Sequence, residues 1–124
     1  MWRFLFSKPY PSKTEYEYKL VYSYYERKNE SSRILKKYPN MVPIILEKSD
    51  QSNTENIKKH KYIFPRSVSF EAVITKVRRM LNLTSDKPLY FFINNEKVPK
   101  TTDNLGDLYR IHKDKDLFLY ITYA

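Results

Sequence analysis

The sequence predicts an α+β domain of the β-grasp type, with a mixed four-stranded sheet and additional helices at its N-terminus. Three observations carry this prediction. Four short runs rich in β-branched and aromatic residues, at 43–48, 62–64, 89–93 and 117–123, have the character of strands. One stretch of helical period lies between the second and third runs, and a long tract without Pro or Gly precedes the first. The resulting order, helix, strand, strand, helix, strand, helix, strand, contains no internal repeat and fits helices packed on one sheet.

The elements follow in order. Residues 1–11 are expected to be an irregular extension, because Pro9 and Pro11 disfavour helix, and the domain is placed at 12–124. Ser12-Lys13-Thr14-Glu15 has the capping-box pattern and predicts a helical tract from there to Lys37. Within it Tyr16, Leu20 and Tyr24 fall at i, i+4 and i+8, with Ile34 further along, and Ser23 or Asn29–Ser32 offers a break into two helices. Lys37-Tyr38-Pro39-Asn40 ends the tract. The near-continuous apolar run from Pro43 to Lys48 suits a strand buried on both faces, and Ser49–Asn56 is a polar connection.

Tyr62, Ile63 and Phe64 form the next strand, stopped by Pro65. Proline is tolerated at a strand end or on an edge, so this strand is placed at a sheet edge. Ser67 or Ser69 is expected to cap the following helix. Its Phe70, Val73, Ile74, Val77 and Leu81 give one buried face. Leu89–Ile93 is a strand ended by Asn94-Asn95. Leu105, Leu108, Tyr109 and Ile111 suit a short helix, and Leu117–Tyr123 is the final strand.

Composition bounds the function. A chain of 124 residues fits one domain with a modest core, and 41% hydrophobic with 16% aromatic residues argues against disorder throughout. The single glycine, Gly106, excludes Gly-rich phosphate loops. Without cysteine there is no thiol nucleophile, disulfide or cysteine metal site. Lys and Arg number 23 against 14 Asp and Glu, and the net charge of +9 favours acidic partners: nucleic acid, an anionic membrane surface or an acidic peptide. No apolar run reaches transmembrane length, and Met1–Phe6 is too short for a signal-peptide core, so a cytoplasmic protein is expected.

No catalytic residue, cofactor or metal site is predicted. His112, Asp114 and Asp116 alternate as metal ligands can, but a charged turn explains them. His60 among lysines suits a solvated edge position better than a general base. Tyrosines interleaved with cations could stack on single-stranded nucleic acid, yet their helix and strand spacing assigns most of them to the core.

The edge strand is the chain's most informative feature. Its unpaired N–H and C=O groups are open to an incoming extended peptide, and Lys59 and Lys61 beside it favour acidic ones. Lys37-Tyr38-Pro39-Asn40, Val42–Lys48, Lys59–Pro65, Phe91–Asn95, Gly106-Asp107-Leu108-Tyr109 and Phe118–Ile121, in that order, resemble the autophagy ubiquitin-like modifiers. That is the family of the GABA-receptor-associated protein and the microtubule-associated-protein light chains. The resemblance covers about residues 24–124.

The resemblance implies a ubiquitin-like β-grasp domain and a non-enzymatic adaptor of selective autophagy. It implies activating and conjugating enzymes as partners, and conjugation through a C-terminal glycine to phosphatidylethanolamine on autophagosomal membranes. The sequence stops at Tyr123-Ala124, a few residues short of that glycine position, so conjugation is expected of a form that carries it. The resemblance also implies receptor peptides with an aromatic-x-x-aliphatic core. The pocket for the aromatic residue matches Glu30, Ile34, Pro43, Lys61, Ile63 and Phe118, and the aliphatic pocket matches Tyr62, Phe64, Pro65, Val68 and Val73.

Departures from the family pattern are specific. Lys76 stands where the family usually has an apolar residue of the aliphatic pocket, and is expected to line it with its stem while the ammonium reaches water. Met41 and Met80 stand where basic residues are common, and one extra residue separates Asn95 from Gly106. Trp2-Arg3-Phe4-Leu5 itself has aromatic-x-x-aliphatic spacing, which makes it a candidate occupant of its own site or of a neighbouring copy's, a route to self-association. Two other readings stand beside the adaptor. One is a basic β-grasp domain binding cytoskeletal or nucleic-acid polymers. The other is the sister ubiquitin-like modifier joined to another autophagy protein, which Tyr38–Lys48 and the helical N-terminus disfavour.

Overall fold

A computed structural model describes residues 15–124, so the Ser12 capping box and Trp2–Leu5 lie outside the described residues. Eight elements follow: α1 (Glu17–Val21), α2 (Tyr24–Lys37), β1 (Met41–Lys48), β2 (Lys61–Pro65), α3 (Glu71–Leu81), β3 (Phe91–Ile93), α4 (Leu105–His112) and β4 (Leu119–Tyr123). The sheet order is β2-β1-β4-β3, with β1 and β4 parallel and the outer pairs antiparallel. This is the expected mixed sheet, and β2 is an edge strand as Pro65 predicted.

Each side of the sheet has its own core. Val42, Ile44, Leu46, Phe64, Leu119 and Ile121 pack with Phe70 just before α3, with Val73 and Val77 of α3, and with Leu105, Leu108 and Tyr109 of α4. Ile45, Phe118 and Tyr120 pack on the other side with Tyr16 and Ile34. β1 is therefore buried on both faces, which is why it is a continuous apolar run. Pro43 is tolerated in this central strand because of register. His60 O accepts from Leu46 N–H and Asn40 O from Arg66 N–H, so even-numbered β1 residues bond β2. The nitrogen of Pro43 thus faces away from β2, and β1 first pairs with β4 one residue later, at Ile44.

The helical N-terminus breaks at Tyr22-Ser23, one of the two expected positions. Ser23 Oγ accepts from Glu26 N–H while Glu26 Oε1 accepts from Ser23 N–H, a complete capping box. Tyr24 lies beyond the break from the buried Tyr16, Leu20 lies on α1 before it, and both are exposed. Helix α1 begins at Glu17, and its N-cap Tyr16 makes no side-chain cap. Glu47 of β1 supplies it instead. One carboxylate oxygen accepts from Glu17 N–H at 2.7 Å, the other from Tyr18 N–H at 2.9 Å.

A buried polar cluster clamps α2 to the α4–β4 turn. Arg27 Nε donates to Asp116 Oδ2 at 2.8 Å, Tyr120 Oη donates to the same oxygen, and Phe118 N–H donates to Oδ1. Arg27 also donates to Tyr22 O, and Ser31 Oγ donates to Asp116 O. Burial and the bond to Asp116 push the Tyr120 hydroxyl well above its ordinary pKa. Asp114 pairs with Lys19 at 2.7 Å. The alternating acids after His112 are thus structural ion-pair partners, and among the described residues no His/Cys/Asp/Glu cluster could hold a metal.

Other expectations need correction. Neither Ser67 nor Ser69 caps α3; its N-cap is Phe70, and the Phe70 and Glu71 N–H groups donate to Asp103 O and Thr101 O of a distant loop. β3 starts at Phe91, with Tyr90 pairing in register with Ala124 just beyond it. Leu117, at φ 71°, lies in the turn before β4, and Ile111 is exposed on α4. Tyr22, Tyr24, Tyr25, Tyr38 and Tyr90 are exposed, so the tyrosines are less of a core set than their spacing implied. Asn94 and Asn95, both at positive φ, end β3 as expected. No helix among the described residues is long and apolar enough to cross a membrane.

Candidate functional site

The register fixes what the β2 edge offers. Because the even-numbered residues bond β1, the N–H and C=O groups of Lys61 and Ile63 point away from the sheet. Pro65 also falls on this free side, where its missing N–H ends the row of donors. Side chains alternate across the strand. Ile63 packs against the Ile34–Phe118 core, while Tyr62 and Phe64 belong to the α3 side.

Two depressions flank this edge. The first runs between α2 and β2 and is lined by Glu30, Ile34, Lys59, Lys61, Tyr62, Ile63, Phe64 and Lys76. The second lies between β2 and α3, with Phe64, Val68 and Lys76 in its wall. Phe64 and Lys76 line both, so the two are continuous around the strand. Ten of the thirteen residues expected at this site have exposed or half-exposed surface or a place in these walls, but the remainder separate. Pro43, Val73 and Phe118 are buried, and with the exposed Pro65 they are absent from both walls. Val73 lies in the core on the α3 side of the sheet and Phe118 in the core on the other side.

Sequence reasoning missed other lining residues. Arg33, Lys37 and Tyr38 extend the first wall, and Ser69, Glu71, Ala72, Thr75 and Arg79 the second. Helical spacing was the available signal. Arg33 and Lys37 follow Glu30 at i+3 and i+7, and Ala72, Thr75, Lys76 and Arg79 share one face of α3.

Charge is concentrated at the first depression. Glu30 accepts from Arg33 Nε at 2.9 Å and from Lys61 Nζ, and these hydrogen bonds hold its pKa down at about 2. Lys37, Lys59 and Lys76 form no ion pair among the described residues, leaving an excess of cations around an apolar floor. Lys59 Nζ sits 5.5 Å from the Tyr62 ring centre. His60 is not a freely solvated ring: its Nδ1 lies 2.8 Å from Leu46 O, and since a carbonyl only accepts, that nitrogen carries the proton.

Comparison with known proteins agrees with this architecture. Residues 26–124 match the family model described as autophagy protein Atg8, ubiquitin-like. Autophagy-related protein 8 of Schizosaccharomyces pombe is 37% identical over 108 residues, covering 87% of this chain and 88% of the relative. Autophagy-related protein 8e of Arabidopsis thaliana is 35% identical over 107 residues, covering 86% and 87%. Among solved structures, Trypanosoma brucei ATG8 aligns with a TM-score of 0.84 at 23% identity, over 90% of this chain and 95% of that one, which speaks to the fold. Plasmodium falciparum Atg8, solved in complex with a P. falciparum Atg3 peptide, aligns with a TM-score of 0.77 at 31% identity, over 86% and 93%. A mixed β2-β1-β4-β3 sheet with two N-terminal helices, and sequence similarity across nearly the whole described chain, place this protein in the Atg8 family of ubiquitin-like autophagy proteins.

Proposed function

We propose that this Atg8-family chain acts as a modifier and adaptor, not an enzyme, and binds extended peptides with an aromatic-x-x-aliphatic core along β2. The observation that carries this reading is the free edge itself. Outward N–H and C=O groups of Lys61 and Ile63 run between two continuous depressions on opposite sides of the strand. An added strand gains main-chain bonds from the edge. Its alternate side chains then enter the depression floored by Ile34 and Ile63 and the one floored by Phe64 and Val68. The excess of Lys37, Lys59 and Lys76 favours acidic residues flanking the core.

The partners that follow are receptor peptides of this pattern and the activating and conjugating enzymes of the pathway. The Atg3 peptide bound by the P. falciparum relative supports the second class. A form extending to the family's C-terminal glycine is conjugated to phosphatidylethanolamine, so the protein divides between cytoplasm and autophagosomal membrane.

Calorimetry with a peptide carrying both anchors tests this reading. Replacing either anchor with alanine should weaken binding by about 1–3 kcal/mol, the scale of a buried apolar anchor. N-methylation of a backbone amide between the anchors should cost about 1 kcal/mol through the lost ladder bond. Affinity indifferent to both changes would overturn the reading. A strongly salt-dependent affinity for anionic polymers, with no peptide binding, would favour the basic-polymer alternative.

A further inference from the structure

A second concavity lies away from β2, where the chain's only glycine brings two elements into contact. Gly106 N–H donates to Arg66 O at 3.0 Å, and a Cβ at Gly106 would stand 3.1 Å from that oxygen and 3.2 Å from Arg66 Cβ. The absence of a side chain there lets α4 approach the turn after β2 and seats Arg66 against Tyr109. The Arg66 guanidinium carbon lies 5.2 Å from the Tyr109 ring centre, and Lys113 Nζ lies 5.6 Å from the same centre. Arg110 follows Gly106 at i+4 on one face of α4, and Lys113 is the C-cap that follows the helix. Arg66, Arg110 and Lys113 line a single depression that also contains Leu35, Leu117 and the buried Tyr109.

This arrangement gathers cations without neutralising them. Arg66, Arg110 and Lys113 form no ion pair among the described residues, and Asp107 is the one acid in the wall. Lys113 Nζ also donates to Arg110 O at 3.3 Å, which draws two like charges together at the C-terminal end of α4. Three charged donors over an aromatic floor can share the oxygens of a doubly charged anion, and arginine pairs them two at a time. We propose that this depression is an anion site that takes a phosphorylated side chain of a partner protein, presented with apolar neighbours that rest on Leu35 and Leu117. A side chain suits the recessed Tyr109 floor better than a flat membrane does. A phosphoserine brings close to two negative charges and three acceptor oxygens.

The inference is independent of peptide binding at β2. Its test uses an acetylated Leu-phosphoserine-Leu peptide, its unphosphorylated twin, and vesicles containing phosphatidic acid, with the full chain observed by amide NMR. The phosphopeptide should bind at least tenfold more tightly than its twin and shift the amides of Ser67, Gly106 and Arg110. Arg66→Gln/Arg110→Gln should lose tenfold or more, while Lys36→Gln/Lys97→Gln, which removes the same charge elsewhere, should retain binding. Equal binding of the twins would overturn the proposal, as would equal loss in both double variants, which would mean diffuse attraction to a basic chain. Binding to the vesicles without binding to the phosphopeptide would overturn it in favour of a lipid surface.

Discussion

Breaking the Arg27–Asp116 pair should cost a large share of the protein's stability. Arg27 is 10% exposed at its side chain and Asp116 is fully buried, and the carboxylate also accepts from Tyr120 Oη and Phe118 N–H. Removing one member leaves a charge, with its aligned donors or acceptors, in a poorly solvated site. Such losses run at about 3–5 kcal/mol, against a total of roughly 5–15 kcal/mol for a domain. Arg27→Met keeps the stem's packing and Asp116→Leu keeps much of the volume, so each single variant should fall in that range by urea denaturation. The double variant should cost far less than the sum, because it leaves no uncompensated charge at either position. Hydrogen exchange should quicken first in α2, which the pair ties to the α4–β4 turn. Single variants within 1 kcal/mol of the parent, or costs that simply add, would refute the clamp.

Other predictions follow from the same geometry. Glu47→Ala should leave the Glu17 and Tyr18 amides without an acceptor, costing about 1.5–3 kcal/mol and raising exchange in α1 while β1 and β4 stay protected. Glu30 should titrate by NMR near 2, below its ordinary 4.5. Since the depressed value belongs to the folded chain, its stabilisation is complete above about pH 4.5 and fades as pH falls toward 2, and Glu30→Gln should abolish that part of the acid dependence. Deleting residues 1–8 should raise affinity for an added receptor peptide, because Trp2-x-x-Leu5 would act as a tethered competitor; equal affinities before and after deletion would dismiss that role.

The sheet was legible in the sequence because its strands are governed by local composition. The apolar run of β1 reported burial on both faces, and Pro65 reported the edge. What escaped was fixed by contacts distant in sequence. The start of α1 depends on Glu47, thirty residues away, and the cap of α3 comes from the carbonyls of Thr101 and Asp103, so nearby Ser67 and Ser69 were misleading signals. The tyrosine stripe failed because a capping box at Ser23 turns the chain between Leu20 and Tyr24. At the site, the edge and its two lysines followed from local pattern, while the pocket assignments came from family resemblance. That route cannot separate a wall from its support, which is why Val73 and Phe118 proved to be core. Phe64 is itself mostly buried and packs in the α3 core, so Phe64→Ala would weaken folding along with any peptide contact.

β2 is proposed to receive an extended peptide, and amide hydrogen exchange along that strand tests this most directly. The Tyr62 and Phe64 amides already face β1, whereas those of Lys61 and Ile63 face outward. Adding an aromatic-x-x-aliphatic peptide should newly protect Lys61 and Ile63 and leave Tyr62 and Phe64 nearly unchanged. Peptide binding with no added protection at Lys61 and Ile63, or with protection confined to another face, would contradict the account.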